Sequence, residues 1–184
     1  GSGDCGQLAH GVDDDDQMIV KRPRVVYSLR EKRIATVACG GLHNVAATAD
    51  GAVFTWGCND DGSLGRGGEE NLPARVEGGG LRGEQVVLVA AGDGQTLVAT
   101  REGAVFGWGC YKDKDGKKFF DLPPGEAEPK RAKRQQDEPL RLGGVADVVE
   151  LRCGSAFNVA RTRGGGVLTW GIGEVCCARS RVCS

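Results

Sequence analysis

Apolar and polar residues alternate along this chain in short runs, as in NVAATA (44–49) and AVFTW (52–56), separated by glycine-rich breaks. A period of two marks strands, and no stretch carries the 3.6-residue period of a helix. Three stretches repeat one pattern: VACGGLHNVAATADGAVFTWGC (37–58), VAAGDGQTLVATREGAVFGWGC (89–110) and LRCGSAFNVARTRGGGVLTWGI (151–172). Gly40 to Trp56, Gly92 to Trp108 and Gly154 to Trp170 are each separated by 16 residues. The pairs Asp50-Gly51, Glu102-Gly103 and Gly164-Gly165 fall at the same place in each stretch and predict hairpin turns. Upstream, Pro23, Pro73 and Pro139 open PRVV, PARV and PLRL, and proline suits the start or edge of a strand.

Each unit is therefore read as a Pro-led edge segment, a strand ending at the landmark glycine, a second strand, the turn and a third strand closing on Trp-Gly. The Trp-to-Trp steps are 52 and 62 residues, and the variation is confined to the linker after each Trp. Four-stranded units at this period predict an all-β fold, a partial β-propeller of about three blades. The opening GSGDCGQLAHG (1–11) aligns with GCNDDGSLGRG (57–67), so the chain starts just after a missing Trp. The expected divisions are 1–36, the end of a truncated blade and a linker; 37–88, a blade repeat; 89–150, a repeat with a basic insertion at 125–138; and 151–184, an incomplete repeat with an atypical tail.

Composition narrows the function. With 31 glycines among 184 residues and no Gly-X-Y period, many positions are expected to need positive φ or close packing. A formal charge of −1 gives no global pull on nucleic acid, and no apolar run approaches the roughly 18 residues of a membrane span. The start lacks both an initiator Met and a signal-peptide pattern, which suggests a fragment or a processed chain. Cys39 and Cys153 share a repeat slot with Ala91, and Cys58 and Cys110 share one with Ile172, as small buried apolar residues would. A reducing compartment is expected. Cys176, Cys177 and Cys183 cluster without a nearby His, so no metal is expected. There is no G-x-x-x-x-G-K-[ST] and no Ser-His-Asp or paired-carboxylate spacing, so no cofactor, small-molecule substrate or covalent catalysis is expected.

The landmarks GGLH (40–43), DG (50–51), WG (56–57) and GSLG (62–65) resemble the repeat of the regulator of chromosome condensation family. The resemblance spans nearly the whole chain and implies a seven-bladed propeller of which three repeats subtend less than half. GSGDCGQL, GCNDDGSLGR and WGCYKDKDG (108–116), in that order, resemble early blades of the family's chromatin-bound exchange factor for the small GTPase Ran. The tail GEVCCARSRVCS (173–184) departs from the repeat, and a truncated or misread gene boundary is the expectation there.

By that resemblance Asp4 and Asp113 match loop positions used against the GTPase, Asp60 is the repeat equivalent of Asp4, and His43 matches a histidine on the same face. The plainer alternatives are Asp side chains capping their own turns and a His bonding a neighbouring turn. Gln95 and Phe157 replace His in the other repeats. Leu140, Arg141 and Leu142 align with an insertion that forms a wedge in the exchange factor, and they also serve as the Pro-led edge strand. Lys130, Arg131, Lys133 and Arg134 form a candidate nuclear-import or phosphate-contacting patch, or a solvated loop balanced by Glu126, Glu128, Asp137 and Glu138.

The resemblance implies a nuclear, chromatin-associated exchange factor for Ran that stabilises the nucleotide-free GTPase and makes no bonds. Histones and DNA would be further partners through regions largely absent here. The alternative is a non-exchanging interaction module of the same repeat, in which case the protein is cytoplasmic. Ultraviolet-sensing relatives need tryptophans beyond the repeat slots, and all three here belong to Trp-Gly pairs.

Overall fold

The structure, a computed structural model, describes residues 3–10, 19–113, 115–120 and 134–172. Ile34–Cys39 (β1), His43–Thr48 (β2), Val53–Gly57 (β3) and Ala74–Arg75 (β4) form one antiparallel sheet in that order. Val86–Ala91 (β5), Gln95–Thr100 (β6) and Val105–Gly109 (β7) repeat the arrangement, and Tyr111–Lys112 (β8) pairs with Lys118–Phe119 (β9) as a separate hairpin. Gln136–Arg141 (β10) completes the second sheet against β7. Val148–Cys153 (β11), Phe157–Thr162 (β12) and Val167–Gly171 (β13) make the third.

The three predicted turns are one turn made three times. Gly51, Gly103 and Gly165 have φ of +89, +85 and +87°, a region open to glycine and strained for other residues. Thr48, Thr100 and Thr162 each donate their N–H across the turn at 2.9 Å. Register repeats as well, since His43, Gln95 and Phe157 face Gly57, Gly109 and Gly171.

One expectation is corrected. The segments after Pro73 and Pro139 pair with β3 and β7, so each completes the sheet of the preceding repeat instead of leading its own. The sequence unit and the sheet are thus one strand out of phase. PRVV (23–26) carries no strand.

The cores lie between sheets. Val45, Ala47 and Val53 of the first pack on Val86, Val89, Val98 and Phe106 of the second. Leu97, Ala99 and Val105 pack in turn on Val148, Leu151 and Ala160 of the third. Alternate residues of β2 and β6 therefore face opposite neighbours, and both strands are buried almost throughout. The outer faces of the end sheets show the same slots uncovered: Val37 is 63% exposed where Val89 is 8%, and Val167 is 49% exposed where Val105 is 0%. Stacked sheets with inter-sheet cores make an open arc of propeller blades. The cysteines divide, because Cys110 is buried and Cys58 and Cys153 are half-buried, whereas Cys39 lies exposed on the uncovered side of β1.

Candidate functional site

Because β2 runs back between β1 and β3, the loops after β1 and after β3 leave from the same end of the first sheet. The second and third sheets repeat this, and bonds between loops align the ends. Gly41 N–H donates to the Gly92 carbonyl and Asp93 N–H to the Ser155 carbonyl, both at 3.0 Å. Segment 3–10 belongs to this face too. Its Gln7 carbonyl accepts from Trp56 Nε1 at 3.1 Å and from Asn44 Nδ2 at 2.8 Å. The Ser63 carbonyl accepts from Trp108 Nε1 and the Thr96 hydroxyl one repeat later, both at 2.8 Å. Asp4, Asp60, Asp61, Asp93 and Asp113 are thus carried on loops of one face.

Asp4 and Asp60 are exposed. Asp113 is half-buried at the tip of the β8–β9 hairpin, where its Oδ1 accepts from the N–H groups of Asp115 at 3.0 Å and Lys117 at 2.9 Å. It caps its own turn, and its carboxylate stands on the rim as well. His43 differs from all three. It is 2% exposed, and its Nε2 lies 2.8 Å from the Thr96 hydroxyl of the next blade. Burial lowers its imidazole from 6.5 to about 4, against the opposing pull of Asp61 and Asp93. Gln95, in the same slot, donates to the Gly154 carbonyl at 3.1 Å, again one blade on. The slot joins blades.

The residues aligned with the wedge, Leu140, Arg141 and Leu142, fall at and just after the edge strand of the second sheet. Leu140 and Arg141 lie in β10 opposite Gly107 and Phe106, and Leu142 is 8% exposed within the second inter-blade core. Leu140 is half-buried and Arg141 is exposed. The element that does project is the β8–β9 hairpin, with Lys112, Asp115, Gly116 and Lys117 exposed. Asp115-Gly116 between Tyr111 and Phe119 is a local hairpin signal of the same kind as the three repeat turns.

The hairpin is fastened on both sides. Tyr111 and Phe120 stack with ring centres 5.9 Å apart, and the Tyr111 hydroxyl lies 2.9 Å from the Asn158 amide of the third sheet. Toward the first sheet, Lys112 Nζ and Lys118 Nζ meet Asp61 Oδ2 at 2.5 Å and Oδ1 at 2.8 Å. Burial alone would raise the Asp61 carboxyl, but the two ammonium groups outweigh it and hold the group below the usual carboxylate range.

On the opposite face a cleft of about 500 Å³ lies between the Asp50-Gly51 turn and loop 76–85, lined by Arg75 and Arg82 against Glu77 and Glu84. Its charges are mixed and it is remote from the acidic loops. Among the described residues no group of three His, Cys, Asp or Glu is placed to hold a metal. Of the basic patch, Arg134 is exposed, while Lys130, Arg131 and Lys133 lie outside the described residues, as do Cys176, Cys177 and Cys183.

Blades bolted to the loop of the preceding blade, with polar loops gathered at one end, define a propeller-repeat scaffold. Residues 1–47 and 50–99 match the Regulator of chromosome condensation (RCC1) repeat, and 34–63 match a second form of it. The chain belongs to this repeat family. It is 36% identical over 181 residues to human E3 ubiquitin-protein ligase HERC2, covering 95% of this chain and 3% of that protein. It is 35% identical over 178 residues to mouse Regulator of chromosome condensation, covering 95% and 38%. Prp20p from Saccharomyces cerevisiae, whose crystal structure was described with its binding properties to Gsp1p and histones, superimposes with a TM-score of 0.80 at 28% identity over 95% of this chain and 40% of that one. The chain therefore spans less than half the length of these relatives.

Proposed function

We propose that this chain carries part of the Ran-binding face of a nuclear, chromatin-associated guanine-nucleotide exchange factor. The observation that carries the reading is the placement of Asp4, Asp60 and Asp113 on loops of one face, in a chain 35% identical to mouse Regulator of chromosome condensation. Exchange of this kind needs no covalent step. A scaffold that prefers nucleotide-free GTPase weakens nucleotide binding by the same factor. Acidic loops attract basic surface and speed encounter. The projecting hairpin, instead of Leu140–Leu142, is the element suited to press on the GTPase. His43 supports the face from between the blades. Histones and DNA are further partners of the whole protein, and Arg134 and the basic residues before it supply the nuclear-import patch.

The second reading, a non-exchanging interaction module, is favoured by the 36% identity to the ligase HERC2. Release of labelled GDP from Ran separates the two. Release above the intrinsic rate on adding the chain supports exchange, and release at the intrinsic rate with retained binding supports the module.

A further inference from the structure

We infer that Asp61 is a positioning residue that fixes the β8–β9 hairpin, so that its exposed turn meets the partner in one orientation. The inference rests on the Ran-facing reading of this surface. Lys112 and Lys118 are direct partners across the hairpin, so the two ammonium groups stand on one side of a two-stranded ribbon. Like charges in that register repel. An isolated two-stranded hairpin is at best marginally stable, and this one pairs over two residues on each strand.

Asp61 resolves both problems from outside the hairpin. Its two oxygens take one lysine each, and Lys118 Nζ also donates to the Asp60 carbonyl at 2.9 Å. The carboxylate sits on the loop leaving the first sheet and is 8% exposed with both lysines in place. With Tyr111 held at Asn158 of the third sheet, the hairpin bridges its two neighbours. Asp113 closes the tip through two backbone bonds. A recognition element held at base, flank and tip loses little freedom on binding.

The test compares Asp61→Asn with the unaltered chain by amide hydrogen exchange and by labelled-GDP release from Ran. We expect protection in 111–119 to fall about tenfold while β5–β7 keep theirs, and release at sub-saturating chain to slow several-fold, as expected of a local opening. Asp61→Glu should recover part of both. Should Asp61→Asn fail to fold, the double change Lys112→Gln and Lys118→Gln, at more exposed positions, should loosen the same segment. Unchanged protection in 111–119 in a folded variant overturns the clamp, and a loosened hairpin with undiminished release overturns its role in positioning. A chain that never speeds release overturns the Ran reading, while the protection measurement still decides the clamp.

Discussion

The Trp108 indole N–H donates to the Ser63 carbonyl at 2.8 Å, tying the strand-ending Trp of one blade to the loop that leaves the blade before it. Trp56 makes the same bond to Gln7 at 3.1 Å. Gly65, two residues past Ser63, lies against the ring so closely that a Cβ there would come within 2.8 Å of it. Trp170 differs. With the Asn158 amide turned so that its oxygen accepts, Trp170 Nε1 is 3.1 Å from Asn158 within its own sheet. The Gly-x-Leu-Gly loop that would have received it is replaced by the β8–β9 hairpin.

Trp108→Phe removes a buried bond and part of a ring that is 0% exposed. A loss of about 2 kcal/mol is expected in urea unfolding at neutral pH. Trp170→Phe should lose less than half of that, since its ring is half-buried and its N–H bond stays within its own sheet. Equal losses would contradict the inter-blade bolt.

A second comparison uses one repeat slot in two surroundings. Val105 is 0% exposed between the second and third sheets, and its equivalent Val167 is 49% exposed on the last. Val105→Ala should cost about 2 kcal/mol and Val167→Ala less than about 0.5 kcal/mol. Differential scanning calorimetry on the two variants reads the difference directly.

The strands, turns and repeat period were legible because alternation and glycine turns are local. Phase was not. Whether the segment after Pro73 pairs backward or forward depends on contacts that no local pattern encodes, and pairing with β3 decides it. For the site, repeat equivalence was enough to place Asp4, Asp60 and Asp113 on one face. It could not separate rim from interior at His43, because burial there comes from Thr96 and the loop of the next blade, 53 residues away. Asp61 looked like a second copy of Asp60, and its role appears only when Lys112 and Lys118 converge on it.

At Asp113 charge and turn capping can be pulled apart. Asp113→Asn keeps an acceptor for the Asp115 and Lys117 N–H groups and removes only the charge. It should slow Ran-dependent GDP release several-fold at low salt, with the gap closing toward 0.5 M salt as the Debye length shrinks to about 4 Å. Asp113→Ala removes the cap as well and should leave a deficit at high salt. Asp4→Ala, at an exposed loop position, should follow the salt-sensitive pattern.

His43 makes stability depend on pH. The Thr96 hydroxyl donates to the Ser63 carbonyl, so it must accept from His43 Nε2–H, and the neutral imidazole satisfies the site. Its folded value is about 4 while the unfolded chain titrates near the ordinary 6.5, so between these limits the unfolded state holds the extra proton. The contribution is therefore whole above pH 6.5 and is lost as pH falls toward 4, a change of about 3 kcal/mol at most. The Asp61 carboxyl, also held low, adds to the loss only in stronger acid. His43→Gln installs the residue found in the equivalent slot at Gln95 and keeps a donor without a proton to gain. Urea unfolding from pH 7 to pH 4.5 should show the unaltered chain losing about 2 kcal/mol more than the variant. Parallel curves would place the titrating group elsewhere.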